Sequence, residues 1–530
     1  MINRRIVDIF MIAMVSFAAY LFYLNGKFIW DDKNLVVENH SIKSFNHIGS
    51  MLTQNDIGSG SGSVYNFYRP LQMVSYAWDY FCWKLNPAGY HITNIFLHIA
   101  VASMIYLFVS ILYANRLLAL LVSLLFALHP VHSETVAYIS SRADLLFVFF
   151  TMSCCLAYFY YFKNGKSGYA VLSFLAYFLA LFSKESAIIA IPLLLWTAYC
   201  FGRRVKAEHI VYFVLITLGY LTLRFTVSGA FTVLNDTTLA GRMPGVFTAI
   251  FEYWRILFLP FNLHMEYGRK PLHFYDCSVI VGIVFVVILM IYIMQRRNRE
   301  KIALFPLGWF FIAIFPVLNI YPVNAYMAEH WLYLPSLGFF VMFAQWLTNN
   351  KNVITRNCFI AAIMLFYIVL HINHSSYWYD PVSFYKQTIG YEPKDARIHF
   401  YLGREYEAAG NYMQAIDEYQ AAITLKRNYK ECFLNLANVY AKQKRYADGE
   451  ALYKRIIVDN PYYSEAYINL AILNTMLGNN LKAIELFQYA LALGADDPAA
   501  IYCNLSRLYA LAGNHFMSVR YHNMAGQSGQ

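Results

Sequence analysis

The sequence predicts an all-α protein in two parts: a polytopic membrane helix bundle of about eleven spans, followed by a soluble α-solenoid. Three observations predict it. Of 530 residues, 59% are hydrophobic and only 14% charged, with a mean hydropathy of +0.41; soluble domains carry about 25% charged residues. The shortage of charge lies before residue 375, in apolar runs near the length of about 20 residues that a spanning helix needs. The last 150 or so residues have ordinary soluble composition and repeat at 34-residue intervals.

The expected spans are residues 6–24, 92–113, 117–137, 144–162, 168–183, 187–201, 208–227, 277–295, 302–320, 332–348 and 354–372. Arg4 and Arg5 precede the first apolar run, but no small-residue cleavage site follows it, so it reads as an uncleaved span rather than a signal peptide. Residues 67–85 and 245–262 are apolar but interrupted, and are expected along the interface. With the N-terminus inside, every inner loop is basic: Arg116; Lys163 and Lys166; Arg203, Arg204 and Lys206; Arg296, Arg297, Arg299 and Lys301; Lys351 and Arg356. The formal net charge of +10 therefore reports membrane topology and implies no nucleic-acid partner. Eight cysteines show no zinc or disulfide spacing.

The outer loops hold the unusual polar groups. The first, residues 25–91, contains Trp30-Asp31-Asp32, a Gly-Ser run at 58–63 that reads as a linker, and Tyr68-Arg69-Pro70-Leu71. A second long outer loop covers residues 228–276. Ionisable groups at a membrane are costly, so their gathering on one face reads as a site.

Beyond a connector at 376–395, Leu402-Gly403, Leu436-Ala437 and Leu470-Ala471 recur every 34 residues, and Leu505-Ser506 follows one residue late. Ala415, Gly449, Ala483 and Ser518 keep a small-residue position, and Tyr419, Tyr453 and Phe487 an aromatic one. This is the tetratricopeptide pattern of paired helices. Four copies are expected at 396–429, 430–463, 464–498 and 499–526, in a domain 396–530 that offers a concave surface to a protein partner.

Each polar cluster has a chemical reading. A carboxylate of Asp31 or Asp32 can take the proton of an attacking hydroxyl, and a single-displacement, inverting sugar transfer needs one such base. His129, His132 and Glu134 lie close enough in sequence to bind a divalent metal, to line a polar pocket, or to cap helix ends. Arg142 has the forked geometry for phosphate. Lys184 can neutralise a phosphate or pair internally with Glu185. Glu329 and His330 open a span on the outer side; the carboxylate suits a helix N-terminus and the histidine does not.

In this order, Trp30-Asp31-Asp32, Tyr68-Arg69-Pro70-Leu71, Leu128-His129-Pro130-Val131-His132-Ser133-Glu134, Ser141-Arg142-Ala143-Asp144, Ser183-Lys184-Glu185 and Ala328-Glu329-His330-Trp331-Leu332-Tyr333-Leu334-Pro335-Ser336, followed by the repeats, resemble the transmembrane and tetratricopeptide repeat-containing O-mannosyltransferases. The resemblance covers nearly the whole chain. His-Pro-Val-His with Arg-Ala-Asp is its most specific part.

That family is similar to the GT-C glycosyltransferases. The resemblance implies a GT-C-like membrane catalytic domain over residues 1–375, a polyprenyl-phosphate sugar as donor substrate, and protein Ser/Thr as acceptor. It implies Asp31 and Asp32 as the catalytic pair. It implies His129, His132, Glu134, Arg142, Asp144, Lys184, Glu185, Glu329 and His330 as the donor and phosphate site, with Arg69 and Trp30 as acceptor or loop contacts. No cofactor is certain and a divalent metal is possible. This chain departs from the family at His330, where arginine is common. Its short repeat array and Gly-Ser insertion point to a bacterial relative.

The expected function is hexosyl transfer, of mannose or another hexose, from the lipid carrier to a protein docked by the repeats. The expected setting is a bacterial inner membrane, N-terminus cytoplasmic and repeats periplasmic, or an endoplasmic reticulum membrane with luminal repeats. The alternatives are a GT-C transferase acting on a lipid or surface glycan, and a non-enzymatic membrane scaffold. Asp31 is favoured for base work and Asp32 for orienting the site.

Overall fold

The computed structural model describes residues 2–53, 67–229, 238–268, 272–296, 301–323, 325–349 and 352–528. Among these, every regular element is helical. The Gly-Ser run at 58–63, Arg297, Arg299 and Lys351 lie outside the described residues. The chain forms two compact units, Met1–Gln387 and Thr388–Gln530. Residues 376–387, read from sequence as the start of a connector, pack into the first.

Among the described residues of the first unit, six helices are long and apolar enough to cross a membrane: Arg4–Asn25, Pro87–Tyr113, Ile139–Asn164, Ala207–Ser228, Cys277–Gln295 and Val353–Trp378. This is a multi-pass integral membrane protein. A seventh candidate is a bent pair, Arg116–Leu128 and Pro130–Ala137, which turn 54° at their junction. Pro130 explains the bend, since it has no N–H to continue the helix and forces His129 into an extended conformation (φ −68°, ψ 128°). Four shorter apolar helices, Ser167–Ser183, Glu185–Cys200, Lys301–Val317 and Ser336–Thr348, occupy the remaining positions expected to span. At 1.5 Å per residue, 17 residues reach about 26 Å, short of a bilayer core of about 30 Å.

Small residues set the closest helix approaches. A Cβ on Gly338 would stand 2.2 Å from the Pro306 carbonyl oxygen, so Ser336–Thr348 and Lys301–Ile314 meet backbone to backbone. Gly282 plays the same part against the carbonyl of Phe247, where Cys277–Arg296 crosses Leu239–Phe258. The latter helix contains most of the 245–262 stretch, and 67–85 contains the helix Pro70–Trp83. Asp8 is buried in the first helix and bound by Arg116 (2.6 Å) and the Tyr106 hydroxyl (2.6 Å). That pair holds the start of the first helix beside the loop at 114–116.

Among its described residues the second unit contains four helix pairs: Ala396–Ala408 with Tyr412–Leu425, Lys430–Lys442 with Tyr446–Asp459, Ser464–Met476 with Asn480–Ala492, and Pro498–Leu511 with His515–Ser528. The repeated small residues permit close packing: a Cβ on Gly403 would meet the Tyr419 ring at 2.6 Å. The turn inside each pair needs one left-handed residue. Gly410, Gly478 and Gly513 supply it, and Lys444 takes φ +62° at the matching turn of the second pair.

Candidate active site

The first polar cluster forms where the opening helix ends. After the 3-10 turn Leu21–Asn25 the chain passes Gly26, where any Cβ would press on the His91 ring at 3.0 Å. Trp30 then adopts φ +53°, a left-handed conformation that costs a bulky residue about 1–2 kcal/mol. Its surroundings offset that strain. The Trp30 N–H donates to the Tyr385 hydroxyl (3.2 Å), and its ring lies against Tyr385 and Phe384. The turn sends the next two carboxylates into different environments.

Asp32 is 1% exposed and saturated. Oδ1 accepts from the Ser140 N–H (2.8 Å) and Ser140 Oγ (2.5 Å), and Oδ2 from the Ile29 N–H (3.1 Å). Burial pushes its carboxyl up to about 7 despite these bonds. Asp31 is half-buried, and its N–H donates to the Tyr138 hydroxyl (3.3 Å). Both residues thus rest on residues 138–140, the segment that leads into Arg142 and Asp144.

Arg142 has no exposed surface and is closed on three sides. Nε donates to Asn94 Oδ1 (2.5 Å), Nη1 to Asp79 Oδ2 (2.5 Å) and Nη2 to the Tyr90 carbonyl (2.8 Å). Two residues along, Asp144 Oδ1 accepts from Lys184 Nζ (2.7 Å). The neighbouring Glu185 receives a bidentate grip from Arg69, 2.8 and 3.1 Å. Burial alone would raise the Glu185 carboxyl, but the Arg69 charge and hydrogen bonds overcome it and hold it at about 2.

The third cluster joins Glu134 to residues between 264 and 330. Glu134, fully buried, accepts from the His330 N–H at Oε2 (3.1 Å), and its Oε1 lies 2.6 Å from His330 Nδ1. Glu329 Oε1 accepts from the His264 N–H (2.7 Å) and the Tyr267 hydroxyl (2.5 Å). Burial, and the nearby Glu134 charge, push the Glu329 carboxyl well above the usual carboxylate range. A narrow cleft with an internal volume of about 20 Å³ opens between the second and third clusters. Asp144, Lys184, Ser186, His330, Trp331 and Tyr333 are among its lining residues.

Residues 403–444 match the TPR repeat profile and residues 434–498 the tetratricopeptide repeat profile. The protein O-mannosyl-transferase F38B6.6 of Caenorhabditis elegans is 25% identical over 81% of this chain and 64% of its own length. Human protein O-mannosyl-transferase TMTC3 is 25% identical over 96% of this chain and 66% of its own. Human TMTC4 is 24% identical over 77% and 64%. This chain is similar to the protein O-mannosyl-transferases. It spans a little under two thirds of the length of these relatives.

Of the residues expected at a donor site, Asp144, Lys184 and His330 reach one cleft, while Arg142 and Glu134 stand behind it. Arg142 offers no face to a phosphate. His129 is also committed elsewhere: its Nδ1 accepts from the Val131 N–H (3.2 Å) and its Nε2 meets the Leu257 carbonyl (3.1 Å), so it caps the bend at Pro130. His132 Nε2 meets Ser336 Oγ at 3.3 Å. With Glu134 taken by His330, these three do not form a metal site, and among the described residues no group of three His, Cys, Asp or Glu does.

Sequence reasoning passed over several participants. Asp79 and Asn94 hold Arg142. His98 Nδ1 meets the Tyr333 hydroxyl (2.7 Å) beneath the cleft, and His371 Nδ1 meets Ser133 Oγ (3.3 Å). Histidines inside apolar runs, His98 in 92–113 and His371 near the end of 354–372, were the available signal.

Proposed function

We propose that this protein is an inverting, integral-membrane hexosyltransferase, moving mannose or another hexose from a polyprenyl-phosphate donor to Ser/Thr hydroxyls of a protein. One observation carries the reading: Asp144, Lys184 and His330, from three separate stretches, line a single cleft, and the segment ending in Asp144 also holds the Asp31-Asp32 pair. The similarity to named protein O-mannosyl-transferases supports the sugar and the acceptor.

In this mechanism the donor phosphate enters the cleft beside Lys184. One of the three ammonium donors is taken by Asp144, and the others are available to phosphate oxygens. Asp31, the more exposed carboxylate, removes the proton of the acceptor hydroxyl. Asp32 fixes the turn and acts as its positioning residue. The hydroxyl oxygen bonds to the anomeric carbon from the face opposite the phosphate, and the carbon–oxygen bond to phosphate breaks with its electron pair going to the phosphate. Negative charge develops there, so fixed cationic groups lower the barrier. Arg142–Asp79 and Arg69–Glu185 hold the walls in place. The repeats bind the acceptor protein and raise its local concentration. The basic loops support a topology with the N-terminus in the cytoplasm and the cleft and repeats on the far face: periplasmic in a bacterium, luminal in a eukaryotic endoplasmic reticulum.

The test uses the purified full chain, a polyprenyl-phosphate hexose and a Ser/Thr-rich protein acceptor. Asp31→Asn is expected to slow transfer at least about 100-fold. Full turnover by both Asp31→Asn and Asp32→Asn would sink the assignment. If the labelled sugar appears on lipid or polysaccharide instead, the acceptor is a glycan.

A further inference from the structure

Glu134 and His330 are 196 residues apart in sequence and meet by two contacts to one carboxylate. The backbone N–H of His330 fixes the chain (3.1 Å) and Nδ1 fixes the ring (2.6 Å). A carboxylate against Nδ1 requires that nitrogen to carry a hydrogen, which leaves Nε2 as the atom free to exchange a proton. Nε2 has no partner among the described residues, and the ring is 20% exposed in the wall of the cleft beside Lys184. The adjacent Glu329 turns to other partners, its Oε1 accepting from the His264 N–H and the Tyr267 hydroxyl. A buried carboxylate that sets the tautomer of an imidazole, and offsets its positive charge, is the arrangement of an acid–base dyad.

We propose that His330 and Glu134 form an acid dyad for the leaving group: His330 Nε2–H protonates the departing phosphate, and Glu134 is the residue that positions and charge-compensates the ring. The inference rests on the transferase reading above. As the bond between the anomeric carbon and the phosphate oxygen breaks, its electron pair stays on that oxygen. The Nε2 proton moves to the phosphate, so the polyprenyl monophosphate leaves with one negative charge fewer. The acceptor proton goes to Asp31. Solvent then returns a proton to His330 and takes one from Asp31, and the cycle closes without a further reactant. Lys184 holds the phosphate through the step and His330 supplies the proton.

The experiment uses the full chain in detergent with the same donor and acceptor. His330→Gln is expected to lower kcat about 100-fold while the KM for donor moves less than about threefold. Glu134→Gln is expected to lower kcat about tenfold, and the double variant to be no slower than His330→Gln alone, because Glu134 acts only through His330. Glu134→Asp, which withdraws the carboxylate by one methylene, reads the same loss if His330→Gln does not fold. A His330→Gln kcat within threefold of the parent overturns the acid role. Independent, multiplying losses overturn the dyad. If the parent transfers no sugar, the transferase reading has failed and the acid role falls with it; a parent that transfers sugar beside a fully active His330→Gln overturns the acid role alone.

Discussion

Replacing Asp32 with asparagine should remove a pH dependence of stability that the site builds in. The carboxyl ionises near 3.8 in the unfolded chain and near 7 in the fold, because burial disfavours its charged form. The folded protein therefore holds the proton more tightly. Below pH 3.8 this contribution to stability is fully present, and it is lost as pH rises through 7. At 1.36 kcal/mol per unit, a shift of about 3 units amounts to about 4 kcal/mol between pH 4 and pH 8. Asparagine carries no charge at either pH. Its amide nitrogen cannot accept from Ser140 or Ile29, so Asp32→Asn loses about 1–3 kcal/mol at low pH. At pH 8 that loss is offset by the relief of the buried charge. The check is unfolding of the parent and variant in the same detergent from pH 4 to pH 8, following intrinsic fluorescence. The difference between them should shrink by about 4 kcal/mol and can change sign. A difference that stays constant with pH would refute the account of Asp32 as a buried, proton-retaining carboxyl.

Two further outcomes test the scaffold around the cleft. Arg142→Met leaves the Asp79 carboxylate buried without its cation and should cost about 3–5 kcal/mol; adding Asp79→Asn should recover part of it, read as melting temperature and yield, and a single variant as stable as the parent would contradict the buried network. Gly338→Ala must push two helix backbones apart, since its Cβ would stand 2.2 Å from the Pro306 oxygen and 3.0 Å from the Phe310 nitrogen. It should cost about 1–3 kcal/mol in the same measurement.

How much of this was legible in the sequence depends on where the partners lie. The repeats were readable because a helix pair writes its packing into nearby positions: Gly403 meets Tyr419, and Gly449 lies close to the Ala437 carbonyl. The turn residue at 444 hid the pattern only slightly, since a lysine there does what glycine does in its neighbours. Helices of the membrane unit were readable for the same local reason. The role of Arg142 was not. Its fork suits a phosphate, and nothing within a few residues says otherwise; the groups that occupy it are Asp79, Asn94 and Tyr90, on two earlier helices. His129 was misleading in the same way, because its ring is consumed by the bend that Pro130 creates. Long-range pairs such as Glu134 with His330 have no periodicity to announce them. The different fates of Asp31 and Asp32 arise from one left-handed residue, Trp30, which is held by side chains some 355 positions away.

Those distant side chains bear on how the molecule can be recombined. Trp378, Phe384 and Tyr385 lie against Tyr138 and Trp30, and Lys27 Nζ reaches Asp380 at 3.0 Å. A chimaera cut at residue 375, where the apolar spans end, discards this collar and leaves the acidic turn without its cover. One that keeps residues through 391, the end of the helix Pro381–Tyr391, carries the collar along and can take a foreign repeat array behind it. Exchanging arrays at that later joint would replace the repeat surface while leaving the geometry around Asp31 and Asp32 untouched.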